Sequence, residues 1–301
     1  MIADVHQHVW PPTLVEALRE RRRPPRLRGW TLELAGEPDF PIEPADHDPE
    51  RRAALARADG LDLALVSLSA PLGIERLPGA AGAELLAAYH EGALALPPPL
   101  RPWAAAALHE IDPGALATEL DRGCVGLQLP ATALADPGGF ARVAPLLEVL
   151  ERDDRPLFVH PGPVAPAARR GPSWWPAIVD YVQQMHAAWY AFRAVGRRAH
   201  PRLRVCFAML AGLAPLHGER FHARTGERSV VDPAAFLEIS SYGTRAIDAV
   251  VRVLGIDVLV NGSDRPYAAP PAPGLGDAAA FALRSANPIR LLQPESEEVS
   301  P

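Results

Sequence analysis

The feature that most constrains this chain is an alternation. Short, strongly apolar runs recur along its length, separated by longer Ala- and Leu-rich stretches of helical character. Eight such runs can be counted, at 2–8, 61–70, 102–109, 124–130, 157–160, 204–208, 236–241 and 257–263. Leu-Ala-Leu-Val-Ser-Leu at 63–68 and Val-Leu-Val at 258–260 are apolar almost without interruption, as strands buried on both faces must be. Helical stretches at 53–58, 83–93, 139–152, 176–197 and 244–254 lie between them. Repeated βα units of this kind specify an α/β fold with a parallel sheet. Eight of them predict a (β/α)8 TIM barrel, with an open doubly wound sheet as the other arrangement.

With 301 residues the chain has the length of one such barrel. A single domain over 1–293 is expected, followed by a flexible tail at 294–301. The stretch 21–48 breaks the rhythm. It is rich in Pro and Arg, carries Trp30, Phe40 and His47, and is expected to form a lid over the mouth of the barrel. Residues 270–273 read as a loop.

A net charge of −6 offers no broad basic face, so nucleic acid is excluded as a partner and a small-molecule substrate is expected. No run is long enough for a membrane span and no secretory leader opens the chain, so a cytoplasmic location is expected. A homodimer is left open. The two cysteines, Cys124 and Cys206, sit in strand-like apolar runs and read as buried thiols. All 30 basic residues are arginine, which excludes lysine Schiff-base chemistry and a carboxylated-lysine bridge between two metal ions.

The chemistry concentrates at the ends of runs. In Asp4-Val5-His6-Gln7-His8, alternation along a strand points both imidazoles to one side, with Asp4 further back. Leu157-Phe158-Val159-His160 ends in histidine and is broken by Pro161 and Gly162, and Val258-Leu259-Val260 leads to Asp264 through Asn261-Gly262-Ser263. Each alone could be turn chemistry. Three histidines and an aspartate at the same ends of three barrel strands match a divalent-metal site, with zinc expected and manganese or iron as alternatives.

At this point the chain resembles the amidohydrolase superfamily, in particular the amidohydrolase-related branch that includes aminocarboxymuconate-semialdehyde decarboxylase. The resemblance rests on Asp4-Val5-His6-Gln7-His8, Val159-His160-Pro161 and Gly262-Ser263-Asp264-Arg265-Pro266 and spans nearly the whole chain. It implies that His6, His8, His160 and Asp264 hold one catalytic ion and that Asp264 can also take a proton from metal-bound water. With no lysine available and Gln128 on the fourth run, a mononuclear site is expected. The chain departs from the family at the sixth run, where Met209 of Phe207-Ala208-Met209-Leu210-Ala211-Gly212 stands in place of the expected histidine.

A thioether is no base, so His217 and His186 are the candidate replacements for proton transfer. Trp174, Trp175, Arg245, Arg265, His109 and Met209 are the candidate substrate contacts, the aromatics as an apolar wall and the arginines as carboxylate anchors. Asn261 and Ser263 are expected to orient the ligands. The leading expectation is a hydrolase of C–N or C–O bonds. The alternatives are a nonoxidative decarboxylase of an aromatic or unsaturated acid, against which Met209 counts, and a catalytically impaired barrel that binds a ligand.

Overall fold

The computed structural model describes residues 1–35, 37–165, 171–228, 230–272 and 274–293. The expected tail at 294–301 and residue 273 of the expected loop lie outside them.

Seven of the eight expected runs hold all or most of a parallel strand, and the third overlaps one at its first residue. The first is β1 (Ala3–Gln7). Inside the 21–48 segment come β2 (Arg26–Arg28), β3 (Thr31–Glu33) and β4 (Phe40–Pro41), and the barrel resumes with β5 (Leu63–Val66) and β6 (Leu100–Pro102). It continues with β7 (Leu127–Pro130), β8 (Leu157–His160), β9 (Val205–Phe207), β10 (Ala235–Glu238) and β11 (Leu259–Val260). The ladders form two arcs, β1-β5-β6 and β7-β8-β9-β10-β11. Single parallel bridges, Ala104 to Leu127 and Gln7 to Arg265, join the arcs at the two seams. The second seam is reinforced where Val5 N donates to Asn261 O at 2.9 Å and Asp264 N donates to His6 O at 2.8 Å.

This is the (β/α)8 order, and β5, β7, β8, β9 and β10 are buried at every position, as strands covered by helices outside and side chains inside must be. The barrel interior is aromatic near its centre. Trp103 stacks on Phe158 at 5.4 Å between ring centroids, and its indole N–H donates to Val5 O at 3.0 Å, so a large apolar side chain also satisfies its polar atom.

The third strand differs from its expected extent. It ends at Pro102, and after the bridge at Ala104 the alanine-rich chain leaves the ladder, so His109 falls in an exposed bend. The 21–48 segment also differs from an unpatterned loop: β2, β3 and β4 form a small antiparallel sheet held by Arg26 and Arg28 on Glu33. It docks on the barrel through Tyr181, whose hydroxyl donates to Glu37 at 2.7 Å, and through His47, stacked on Trp10 at 4.6 Å. Both cysteines are buried free thiols. No helix among the described residues is long and apolar enough to cross a membrane.

Candidate metal centre

The strands β1 and β8 and the turn after β11 bring His6, His8, His160 and Asp264 together, with one ligand atom from each lying within 4.8 Å of all the others. His6 Nε2 is 3.0 Å from His8 Nε2, and Asp264 Oδ1 lies 3.4 Å from the first and 3.2 Å from the second. The three histidines are almost fully buried. Asp264 adopts φ +58°, a left-handed conformation that Asp tolerates better than most residues, and this turns its carboxylate back over the end of β1.

The opposite ring nitrogens show how the rings are aimed. His6 Nδ1 meets Glu238 Oε1 at 3.0 Å, His8 Nδ1 meets Ser67 O at 3.0 Å, and His160 Nδ1 meets Pro161 O at 2.8 Å. Each partner can only accept, so each Nδ1 carries a proton and each Nε2 turns its remaining valence toward the common centre. Three imidazole nitrogens and a carboxylate oxygen converging this closely could hold a cation between them.

The electrostatics agree. Burial opposes charge on His6, but Glu238 and Asp264 outweigh it and hold the ring at about 8. Burial and the neighbouring rings push His8 down and His160 well down. Burial likewise opposes charge on Asp264, yet the histidines keep its carboxyl below the usual range. The donor set fits one divalent ion, and Gln128, fully buried on β7, offers no carboxylate for a second.

Glu238 is the residue that the sequence reading missed. It ends β10, is fully buried, and accepts from His6 Nδ1, from Met209 N at 2.7 Å, and from Ser240 N and Oγ at 2.8 and 2.6 Å. A carboxylate so supplied with donors fixes the ring plane and tautomer of His6. The available signal was a charge inside the apolar run Phe236-Leu237-Glu238-Ile239, since a buried carboxylate must have partners. Ser263 and Asn261 bond to β1 rather than to a clustered side chain: Ser263 N donates to Asp4 Oδ1 at 3.1 Å and Asn261 Nδ2 to Ala3 O at 3.0 Å.

The remaining candidates are spread out. Met209 is half-buried at the end of β9, within a run from Met209 to Leu213 whose φ values are all positive. His186 and His217 pack on each other, ring centroids 5.0 Å apart, with His217 exposed and neither in the ligand cluster. Trp174 and Trp175 stack on each other at 5.9 Å and are both exposed. Arg245 is exposed at the start of the helix Thr244–Leu254, and His109 is exposed as well. Arg265 pairs with Asp59 at 3.0 Å and, with Asp46, Arg52 and Tyr267, lines a cavity of about 430 Å³. The Tyr267 ring lies 5.4 Å from His8, which places that cavity next to the ligand strands.

No family model matches the chain, and no curated protein matches it. Solved structures do. The fold is similar to that of IDCase from Metarhizium anisopliae, at 17% identity and TM-score 0.78 over 97% of this chain and 97% of that one. It is also similar to 5-carboxyvanillate decarboxylase from Sphingomonas paucimobilis, at 20% identity and TM-score 0.73 over 98% and 99%. A 5-carboxyvanillate decarboxylase from Novosphingobium aromaticivorans, complexed with manganese and a nitrobenzoic acid, matches at 17% identity and TM-score 0.64 over 82% and 81%. The (β/α)8 barrel expected from the sequence is therefore the fold that the chain adopts.

Proposed function

We propose that this protein is a mononuclear metal-dependent enzyme of the amidohydrolase superfamily that removes carbon dioxide from a small aromatic or unsaturated acid. The observation that carries this reading is the set of three Nε2 atoms and one carboxylate aimed at a single point. It stands at the C-terminal ends of strands, in a fold shared with structures named as carboxyvanillate decarboxylases. His6, His8, His160 and Asp264 would hold the ion, and manganese joins zinc as a leading candidate because a structural neighbour contains it. When bound, a divalent ion supplies Lewis acidity for a substrate carboxylate or phenolate.

The chain's own residues set the rest. Glu238, Ser67 O and Pro161 O hold the three rings by their far nitrogens. Phe158 stands edge-on to His6 at 5.0 Å and gives the cluster an apolar neighbour. The lid reading of the 21–48 segment belongs to the same proposal: its docking on Tyr181 and Trp10 sets it beside the ligand strands.

The hydrolase reading stays as the second, favoured by Met209 where a histidine is expected of the decarboxylases. One experiment separates the two. Protein reconstituted with manganese or zinc is incubated with a panel of hydroxybenzoic and unsaturated acids, and with amides and lactones. Release of carbon dioxide from an acid supports decarboxylation. Turnover of amides or lactones alone transfers the proposal to hydrolysis, and a chain that takes up no metal returns it to a ligand-binding barrel.

A further inference from the structure

One buried acid has no part in the chemistry described so far. Glu75 lies in the short turn Ile74–Arg76 beyond β5 and is fully buried. Its Oε1 stands 3.5 Å from Gln128 Nε2, while its Oε2 has no partner, and neither has Gln128 Oε1 nor Thr132 Oγ1 just past the end of β7. Each buried polar atom left unpaired costs about 1–3 kcal/mol, so such atoms mark a place kept for something other than packing.

The register locates that place. Along β7 and β8, Gln128 pairs with Phe158 and Pro130 with His160, so Gln128 shares the inward face with Phe158 and His160. The Phe158 ring in turn stands 5.0 Å from His6 and 6.0 Å from His160. Gln128, which Glu75 meets, is therefore the lateral neighbour of Phe158, whose ring packs against two of the clustered histidines.

We propose that Glu75 is the proton donor of this enzyme, taking the part that Met209 cannot play, with Gln128 holding its carboxyl at the barrel's inner face. The proposal rests on the decarboxylase reading above. The Glu75 O–H bond breaks and its proton forms the new C–H bond at the carbon bearing the substrate carboxylate. The C–C bond to that carboxylate then breaks, its electron pair stays with the ring, carbon dioxide leaves, and Glu75 regains a proton from solvent. Burial pushes the Glu75 carboxyl up to about 7, against its own backbone N–H, Gln128 and Arg76. Tyr89, from the helix Gly79–Leu94, faces it as well and is itself held neutral by burial. Below about pH 7 the acid thus keeps a proton to give.

The test compares wild type, Glu75→Gln and Glu75→Asp, all reconstituted with metal. Glu75→Gln should keep about one divalent ion per chain and its KM, yet lose ~100-fold or more in kcat. Glu75→Asp should restore part of that loss. The fall of wild-type kcat as pH rises through about 7 should be missing from the residual activity of Glu75→Gln. Independently of turnover, the infrared difference between wild type and Glu75→Gln near pH 6 should show a protonated carboxyl band in wild type. A Glu75→Gln enzyme within ~3-fold of wild type, or a difference spectrum without that band, overturns the assignment while leaving decarboxylation intact. A wild type that releases no carbon dioxide from any acid overturns the decarboxylase reading, and Glu75's part in it falls with it.

Discussion

The two sides of the barrel mouth are built on opposite principles. On the side of β1, β8 and the turn after β11, every functional ring has its far nitrogen committed, and the one unusual dihedral, at Asp264, falls on a residue type that accepts it. Across the mouth, at the end of β9, Met209, Leu210, Ala211, Gly212 and Leu213 all have φ between 48° and 62°, and only one of them is glycine. A left-handed turn costs a non-glycine residue about 1–2 kcal/mol. The turn persists because Leu210 and Ala211 are fully buried and because Met209 N is fastened to Glu238. Glu238 thus holds both sides at once, His6 by one hydrogen bond and the strained turn by another. One side stores chemistry in residue types, the other in backbone shape.

The comparison can be broken most severely at the ligands. His160→Ala should leave the purified protein with almost no metal by mass spectrometry, against about one ion per chain in wild type. Equal metal in the variant would dissolve the distinction between the two sides. Next in size is a pH effect on stability. The Glu75 carboxyl lies at about 7 in the folded protein against 4.5 normally, so the folded state holds that proton more tightly than the unfolded one. Its stabilising contribution is complete below 4.5 and is lost as pH rises to about 7, a decline of about 3 kcal/mol. Glu75→Gln should lack that decline in urea titrations run across this range, and a parallel decline in the variant would place its cause elsewhere.

Glu238→Gln should weaken metal binding about 10- to 100-fold, read by competition with a chelator, because the amide is a poorer acceptor for His6. Unchanged affinity would show that the two sides are not joined through this residue. The smallest effects test the strain. Ala211→Gly should raise stability by about 0.5–1 kcal/mol, the relief of the left-handed turn exceeding the added freedom of the unfolded chain. Gly212→Ala should lower stability by about 1–3 kcal/mol, since its Cβ would come within 2.7 Å of Val182 O. Thermal melts of the two variants moving in the same direction would contradict the account of the turn.

This contrast also sets how far the sequence was legible. The strands could be read because burial on both faces demands apolar runs such as Leu-Phe-Val before His160, and the run at 157–160 coincides with β8. The cluster could be read because three histidines and an aspartate at the same ends of three strands have few other uses, although each alone could be turn chemistry. The turn at 209–213 could not, since Met-Leu-Ala-Gly-Leu has the composition of an ordinary helix and its handedness is imposed by tertiary contacts. Glu75 sits in Gly-Ile-Glu-Arg, which reads as a solvated loop, and only the fold shows that the turn is pressed inward. The small sheet of the 21–48 segment was invisible for a simpler reason, as strands of two or three residues are too short to show a period.

The seam between β1 and the turn after β11 has a further consequence. His6 and His8 lie on the first strand and Asp264 in the last turn, and the two meet there through one bridge and a few backbone hydrogen bonds. An ion held across that seam ties the two ends of the domain together, as a clasp closes a bracelet. Nearly the whole polypeptide lies in the loop so closed, where constraint on the unfolded chain is greatest. A growing chain gains His6, His8 and His160 before Asp264, and cannot complete the set until residue 264 has been made and the last strand has docked. Metal loading would therefore report that the ring is whole.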